Sequence, residues 1–343
     1  AMFVPGNAGV RGTWEYERVA ITDTGLDYSD VTSHPIRSAR VQLIKAGSGN
    51  VITTRTTDES GAYQIDYSIP GTVFVRVLAE TDSTHTPIRV QDNTSGGAVW
   101  ASEGAPLGIQ NMWNTRDYVA ELGWMGAAYG PNRGSGPFAL MDTAYEAAET
   151  IRDARPATTF QQCVINWSPE NVPQDGQPSL GEIGGPHYDG ELWFLGKDGI
   201  ETDEFDVPLI IHEWGHYLTD KLSRDDSPGG THSYGDFKQA TLAFSEGFAT
   251  ALSAMLSDPD FIYRDTFGPG QSQMFALFDM QDSAVDSPNP GWFSEQSIIY
   301  LATDLYDNDT SEAWDGVSLG LGPIIDAIAG DVKNTQSLTT VFS

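Results

Sequence analysis

What this sequence has little of already excludes several classes of protein. One cysteine, Cys163, stands among 343 residues, which rules out an intrachain disulfide and any cage of cysteine thiolates around a metal. Basic residues are scarce: 18 Lys and Arg face 48 Asp and Glu, a formal net charge of -30. A surface of that sign repels phosphate backbones and anionic lipid, so nucleic acid and acidic membranes are not expected partners. No apolar run approaches the roughly 20 residues needed to span a bilayer. The opening AMFVPGNAGV lacks the basic and apolar regions of a signal peptide. The expectation is an exported protein (periplasmic, cell-surface or secreted) whose targeting segment precedes this sequence.

What is present is a folded globular composition, 39% apolar and 11% aromatic, with length for two domains. From Val10 to about Asn93 short strands alternate with turns: VRGTWEYERVAI, PIRSARVQLIKA, VITTRTT, AYQIDYSI, TVFVRVLAE and PIRVQD. Apolar residues occupy every second position in Ala39-Val41-Leu43 and Val73-Val75-Val77, the pattern of strands covering a core on one face. This predicts an N-terminal β-sandwich over residues 1–110. Asp23, Asp27 and Asp30 share an expected loop there, but their spacing is not that of an EF-hand, and calcium at them has no motif support. The stretch TSGGAVWASEGAPLGIQ, Thr94 to Gln110, marks the boundary.

Residues 111–343 change period. Asn114 to Tyr129 and Gly136 to Ala154 carry apolar residues at helical spacing, CVINW and YDGELWFLG read as strands, and an acidic loop follows from Lys197 to Asp206. Then comes VPLIIHEWGHYLTDKL, Val207 to Leu222, an expected helix with Asp206 as N-cap and Pro208 in its first turn. It holds His212, Glu213 and His216 in the order H-E-x-x-H. Two imidazoles four residues apart on a helix lie one above the other and can reach one metal ion, with the glutamate between them placed as a general base. Gly215 sits on the packing stripe with Ile211, Leu218 and Leu222, where a glycine costs about 1 kcal/mol relative to Ala, so a close neighbour is expected.

A catalytic zinc takes three protein ligands and leaves one position open. Glu246 is the candidate third ligand. It lies in TLAFSEGFATALSAML, Thr241 to Leu256, a second helical stretch in which a carboxylate is costly to bury unless it is paired or bound to metal. Further helices are expected at Ser294–Asp307 and Gly322–Ile328. The acid-rich segment Leu305 to Gly316 has no recognised calcium spacing.

Two resemblances follow from these residues. The segment SHPIRSARVQLI through GTVFVRVLAE, with Asp58, Gly61 and Tyr63 in a D-x-x-G-x-Y pattern, resembles the carboxypeptidase regulatory-like, transthyretin-type modules. HEWGHYL followed by FSEGFAT resembles the gluzincin class of zinc metallopeptidases, closest in spacing to collagenase-type and fungalysin-type domains. Strong similarity is confined to the two helices. The resemblance implies an α+β zincin-like domain with an upper sheet-and-helix lobe and a helical lower lobe. It also implies zinc on His212, His216 and Glu246, Glu213 as general base, and a protein or peptide substrate held along the strand near Trp193.

Two positions depart from that class. Where many members place an Asp four residues after the third ligand, this chain has Thr250, so a partner for His212 is expected from Thr250 through a water or from Asp236. The residue that stabilises the transition state is expected to be Tyr300, or His232 in the loop between the zinc helices. The predicted activity is zinc-dependent peptide hydrolysis. A zinc hydrolase of another acyl bond, or a binding or adhesion protein with a degenerate peptidase domain, are the alternatives; the intact Glu213 counts against the last.

Overall fold

Apolar and polar residues alternate along the first strands, and burial follows them. The computed structural model describes residues 8–110, 112–230, 236–257, 260–281, 289–307 and 316–343, and all counts refer to these. The chain is mixed α/β, with two large sheets, two small hairpins and five α-helices. The N-terminal strands are β1 (Gly9–Thr22), β2 (Gly25–Pro35), β3 (Ala39–Lys45), β4 (Val51–Thr56), β5 (Ala62–Asp66), β6 (Gly71–Thr81) and β7 (Ile88–Asp92). On β6 the residues Val73, Val75, Val77 and Ala79 are buried, with less buried ones between them.

The first sheet is organised on β1, which pairs antiparallel with β2 and β5 and parallel with the short strands Trp113–Thr115 and Tyr118–Ala120. The second runs in the order His187–Tyr188, Leu192–Phe194, Cys163–Trp167, β7, β6, β3, β4. Cys163–Trp167 is parallel to β7, with Ile88 opposite Cys163, so one sheet holds strands from both sides of residue 110. The helices are α1 (Gly136–Ala154), α2 (Val207–Leu222), α3 (Ala240–Ser257), α4 (Glu295–Tyr306) and α5 (Leu321–Ala327). Helix α1 is fixed to the strands by buried Asp142, which accepts 2.7 Å from the Tyr16 hydroxyl and 2.9 and 2.7 Å from the Arg37 guanidinium.

Four expectations are corrected. Asn114–Tyr129 is not helical: its residues form the two short β1 partners and a bridge between Trp124 and Tyr129. Gly123, at φ 78°, and Gly126, at φ 92°, stand in the left-handed region and stop any helix there. Asp27 and Asp30 lie within β2 rather than in a loop. Asp23 accepts from Arg264 at 2.8 Å and Asp27 from Ser29 at 2.9 and 2.6 Å, which accounts for both in protein terms. Asp206 precedes α2 without capping it through its side chain, because both carboxylate oxygens accept from the backbone and hydroxyl of Thr266 at 2.7–2.9 Å. The sequence offered only helices in this part of the chain, at Ser294–Asp307 and Gly322–Ile328, and no strand was expected where Ile262–Phe267 and Gln273–Asp279 form an antiparallel hairpin with a bulge after Asp265.

Helices α2 and α3 pack at the glycine the sequence pointed to. A Cβ on Gly215 would lie 3.0 Å from the Cα of Ala249. On the other face of α3, a Cβ on Gly247 would meet Ile298 of α4 at 2.5 Å. Small residues thus bring three helices into close contact around the segment that carries Glu246.

Candidate metal centre

Helical periodicity places His212 and His216 one turn apart on α2, and the packing of α3 brings Glu246 opposite them. Nε2 of His212 and Nε2 of His216 are 3.3 Å apart, and each lies 3.4 Å from Oε2 of Glu246. Of all His, Cys, Asp and Glu side chains among the described residues, these are the only three whose ligand atoms gather within 4.8 Å of one another. Glu213 is buried beside them, with Oε1 3.9 Å from Nε2 of His212. His212, Glu213, His216 and Glu246 therefore converge as expected.

Both imidazoles are held from behind. With Nε2 turned to the centre, Nδ1–H of His212 donates to Oγ1 of Thr250 at 2.9 Å. Nδ1–H of His216 points to Oγ of Ser245, 3.3 Å away, whose own hydroxyl donates to Oδ2 of Asp225 at 2.6 Å. Such partners set the tautomer and ring orientation of a metal-binding histidine. Burial lowers the pKa of His216, but the hydrogen bond and charge of Glu246, then Glu213 and Asp225, outweigh it and raise the group to about 9. The carboxylates of Glu246, Glu213 and Asp225 thus make the site one that favours positive charge.

Two cavities meet at His212, Glu213 and Glu246. One, of about 830 Å³, is walled by Leu209, Tyr263, Phe278 and Glu295. The other, of about 630 Å³, is bordered by Tyr188, His216, Asp225 and Ser245. The centre lies where the two cavities join. On the first side the Tyr263 ring is 6.4 Å from that of His212 and stacks on Phe278 at 5.0 Å. Burial, then the charges of Asp265 and Glu213, push its hydroxyl far above the ordinary range, so it remains an O–H donor. Glu295, at the head of α4, pairs with buried Lys238 at 2.9 Å.

Tyr300 lies on α4, where its hydroxyl accepts from Gln296 at 2.8 Å, and it lines neither cavity. His232 lies outside the described residues, as does most of the acidic segment after Asp307. The strand Leu192–Phe194 is not an open edge, because His187–Tyr188 pairs along its outer side. Sequence reasoning passed over Tyr263, Asp225 and Ser245. Ser245 stood next to Glu246 in the quoted motif, whereas Tyr263 and Asp225 come from segments without periodicity.

No family model matches this sequence, and no curated protein matches it. Among solved structures, (S)-allantoin synthase is similar at 7% identity over 34% of this chain and 42% of that one, with a TM-score of 0.18. A 9R-lipoxygenase from Cyanothece PCC8801 is similar at 11% identity over 44% of this chain and 25% of that one, also at 0.18. This chain thus spans less than half the length of either, and likeness at that score carries no argument about fold or activity.

Proposed function

We propose that this chain is a zinc-dependent peptidase in which His212, His216 and Glu246 hold the metal and Glu213 is the general base. The observation that carries the reading is the donor triangle, with sides of 3.3, 3.4 and 3.4 Å. Zinc bonded at about 2.0–2.1 Å in tetrahedral geometry sets its ligands roughly 3.3–3.4 Å apart, so the residues fit the ion. Two imidazoles and one carboxylate leave a fourth position toward the cleft, as a catalytic site requires. When bound, zinc supplies Lewis acidity that polarises a carbonyl and acidifies water.

The chain's own groups do the rest. Glu213 takes the proton of the attacking water and passes it to the leaving nitrogen. Tyr263, kept protonated by burial, donates to the carbonyl oxygen as negative charge grows there. Thr250 and the Ser245–Asp225 pair keep the two imidazoles aimed. Two cavities joined at the centre suit a polypeptide better than a small ester. The same reading implies an N-terminal β-sandwich module, a zincin-like lobe pair behind it, and export, which the acid-rich composition supports.

The test is elemental analysis paired with peptide turnover. Zinc at one equivalent is expected in the protein and in Glu213→Gln, with hydrolysis abolished in the variant. His212→Ala and Glu246→Ala are expected to lose the metal. Full turnover by Glu213→Gln, or a panel in which esters but no peptides are cleaved, would overturn the assignment.

A further inference from the structure

Beside the metal centre the larger cavity has a floor that the hydrolytic reading leaves unexplained. Glu201 and Asp265 both line it, and Asp203 is packed behind them. Asp203 and Asp265 are 0% and 6% exposed, yet each has one carboxylate oxygen enclosed with no hydrogen-bond partner. A buried, unmatched carboxylate oxygen costs free energy unless a partner arrives. The cations nearby are engaged elsewhere: Arg133 with Glu204, Lys238 with Glu295 and Arg264 with Asp23. No ion pair reaches Glu201, Asp203 or Asp265 among the described residues.

Without a ligand, burial keeps these groups protonated; a cation entering the cavity is the partner that would release those protons and pair with the carboxylates, and the geometry discriminates between its forms. The carboxylates here do not gather three oxygens around one point, which only His212, His216 and Glu246 achieve. A bare metal ion needs such a ring of oxygens. A guanidinium presents five donors in a wide fork, and an ammonium on a long stem reaches single carboxylates. Leu209 and Tyr263, on the same walls, offer the apolar surface along which the methylene stem of such a side chain packs.

The geometry points to a recognition subsite for the side chain of an arginine or lysine of the substrate, held between Glu201 and Asp265 next to the bond hydrolysed with Glu213 as general base. This deepens the peptidase reading and rests on it, so its failure and that of the peptidase reading must be separable. Burial, and for Asp265 the neighbouring carboxylates, already hold both groups above the ordinary carboxylate range. An arriving cation reverses that penalty and is selected by it.

The experiment uses the zinc-loaded protein and a set of peptides identical except for Arg, Lys, citrulline, Leu or Glu at each position around the cleaved bond. One position is expected to favour Arg over isosteric citrulline by about 10- to 100-fold in kcat/KM, the range of a charge-assisted hydrogen bond. Glu201→Gln and Asp265→Asn are expected to bring that ratio toward one. Glu201 is the less buried of the two, so its variant keeps the test valid if Asp265→Asn folds poorly. Binding of the Arg and citrulline peptides to Glu213→Gln by calorimetry is the second readout: selective Arg binding without turnover in the wild-type protein supports the subsite and rejects the peptidase. Cleavage with no basic preference, or with a preference that both variants retain, overturns the subsite. So does calcium chloride alone, if it raises the melting temperature of the wild-type protein but not that of Asp265→Asn, because the cluster would then be a metal site.

Discussion

Oγ1 of Thr250 lies 2.9 Å from Nδ1 of His212, one turn beyond Glu246 on the helix that brings this carboxylate to the two histidines. A neutral hydroxyl therefore does what a carboxylate does in the class the motif resembles. It orients the imidazole without adding charge to a cluster that already holds Glu213, Glu246 and, through Ser245, Asp225.

Thr250→Val keeps the shape and removes the acceptor. Loss of such a partner typically weakens metal binding about 10- to 100-fold, so competition with a chromophoric chelator should register a drop of that size, and Thr250→Ser should restore it. Equal zinc affinity in Val and Ser variants would mean that the hydroxyl plays no part in positioning His212.

The two tyrosines separate by position. Tyr263 lines the cavity beside His212, while Tyr300 is held by Gln296 on α4. Removing one preorganised oxyanion donor typically costs about 10²–10³ in kcat. Tyr263→Phe should lower kcat by that order with little change in KM, and Tyr300→Phe should leave kcat within about twofold of the wild type. The reverse outcome would return the role to α4.

These contrasts mark how far the sequence was readable. Helices α2 and α3 were legible because their apolar residues repeat at helical spacing and Pro208 marks a first turn, and Gly215 announced the contact it makes with Ala249. The convergence of Glu246 on the two histidines was legible because a lone glutamate in an apolar helix demands a partner. The hairpin Ile262–Asp279 was not. Its second strand turns Phe275 and Leu277 outward, 72% and 44% exposed, toward a cavity rather than a core, so no burial pattern betrays it. Strand β2, polar along its exposed half, was lost for the same reason. Asp206 is the converse case: its identity suited an N-cap, but the bulge after Asp265 delivers Thr266 to its carboxylate first.

Asp265 gives the protein a measurable pH dependence. Burial, then the charges of Glu201 and Glu213, raise its carboxyl from 3.8 to about 8. The folded chain keeps this proton at pH values where the unfolded chain has lost it. Unfolding therefore releases a proton, and the contribution of Asp265 to stability declines as pH rises from about 4 to about 8. Asp265→Asn has no such proton. Relative to the wild type it should gain stability progressively across that window in urea titrations, and the gap should be constant above it. A gap independent of pH would show that Asp265 is ionised in the folded metal-free protein.

Gly247 tests whether the helix contacts set the geometry of the centre. It follows Glu246 directly, and a methyl group there would lie 2.5 Å from Cβ of Ile298 and 2.8 Å from the carbonyl oxygen of Glu295. Backbone cannot yield as a side-chain tip can, so α4 must shift away from α3. Overpacking of this kind costs about 1–3 kcal/mol, more than the roughly 1 kcal/mol that alanine returns in helix propensity. Gly247→Ala should lower the urea midpoint and also weaken zinc binding, because Glu246 moves with the displaced turn. Gly215→Ala meets Ala249 only at 3.0 Å, so its loss should be smaller. Should Gly247→Ala match the wild type in both measurements, the contact between α3 and α4 would be looser than drawn, and Glu246 would owe its position to α2 alone.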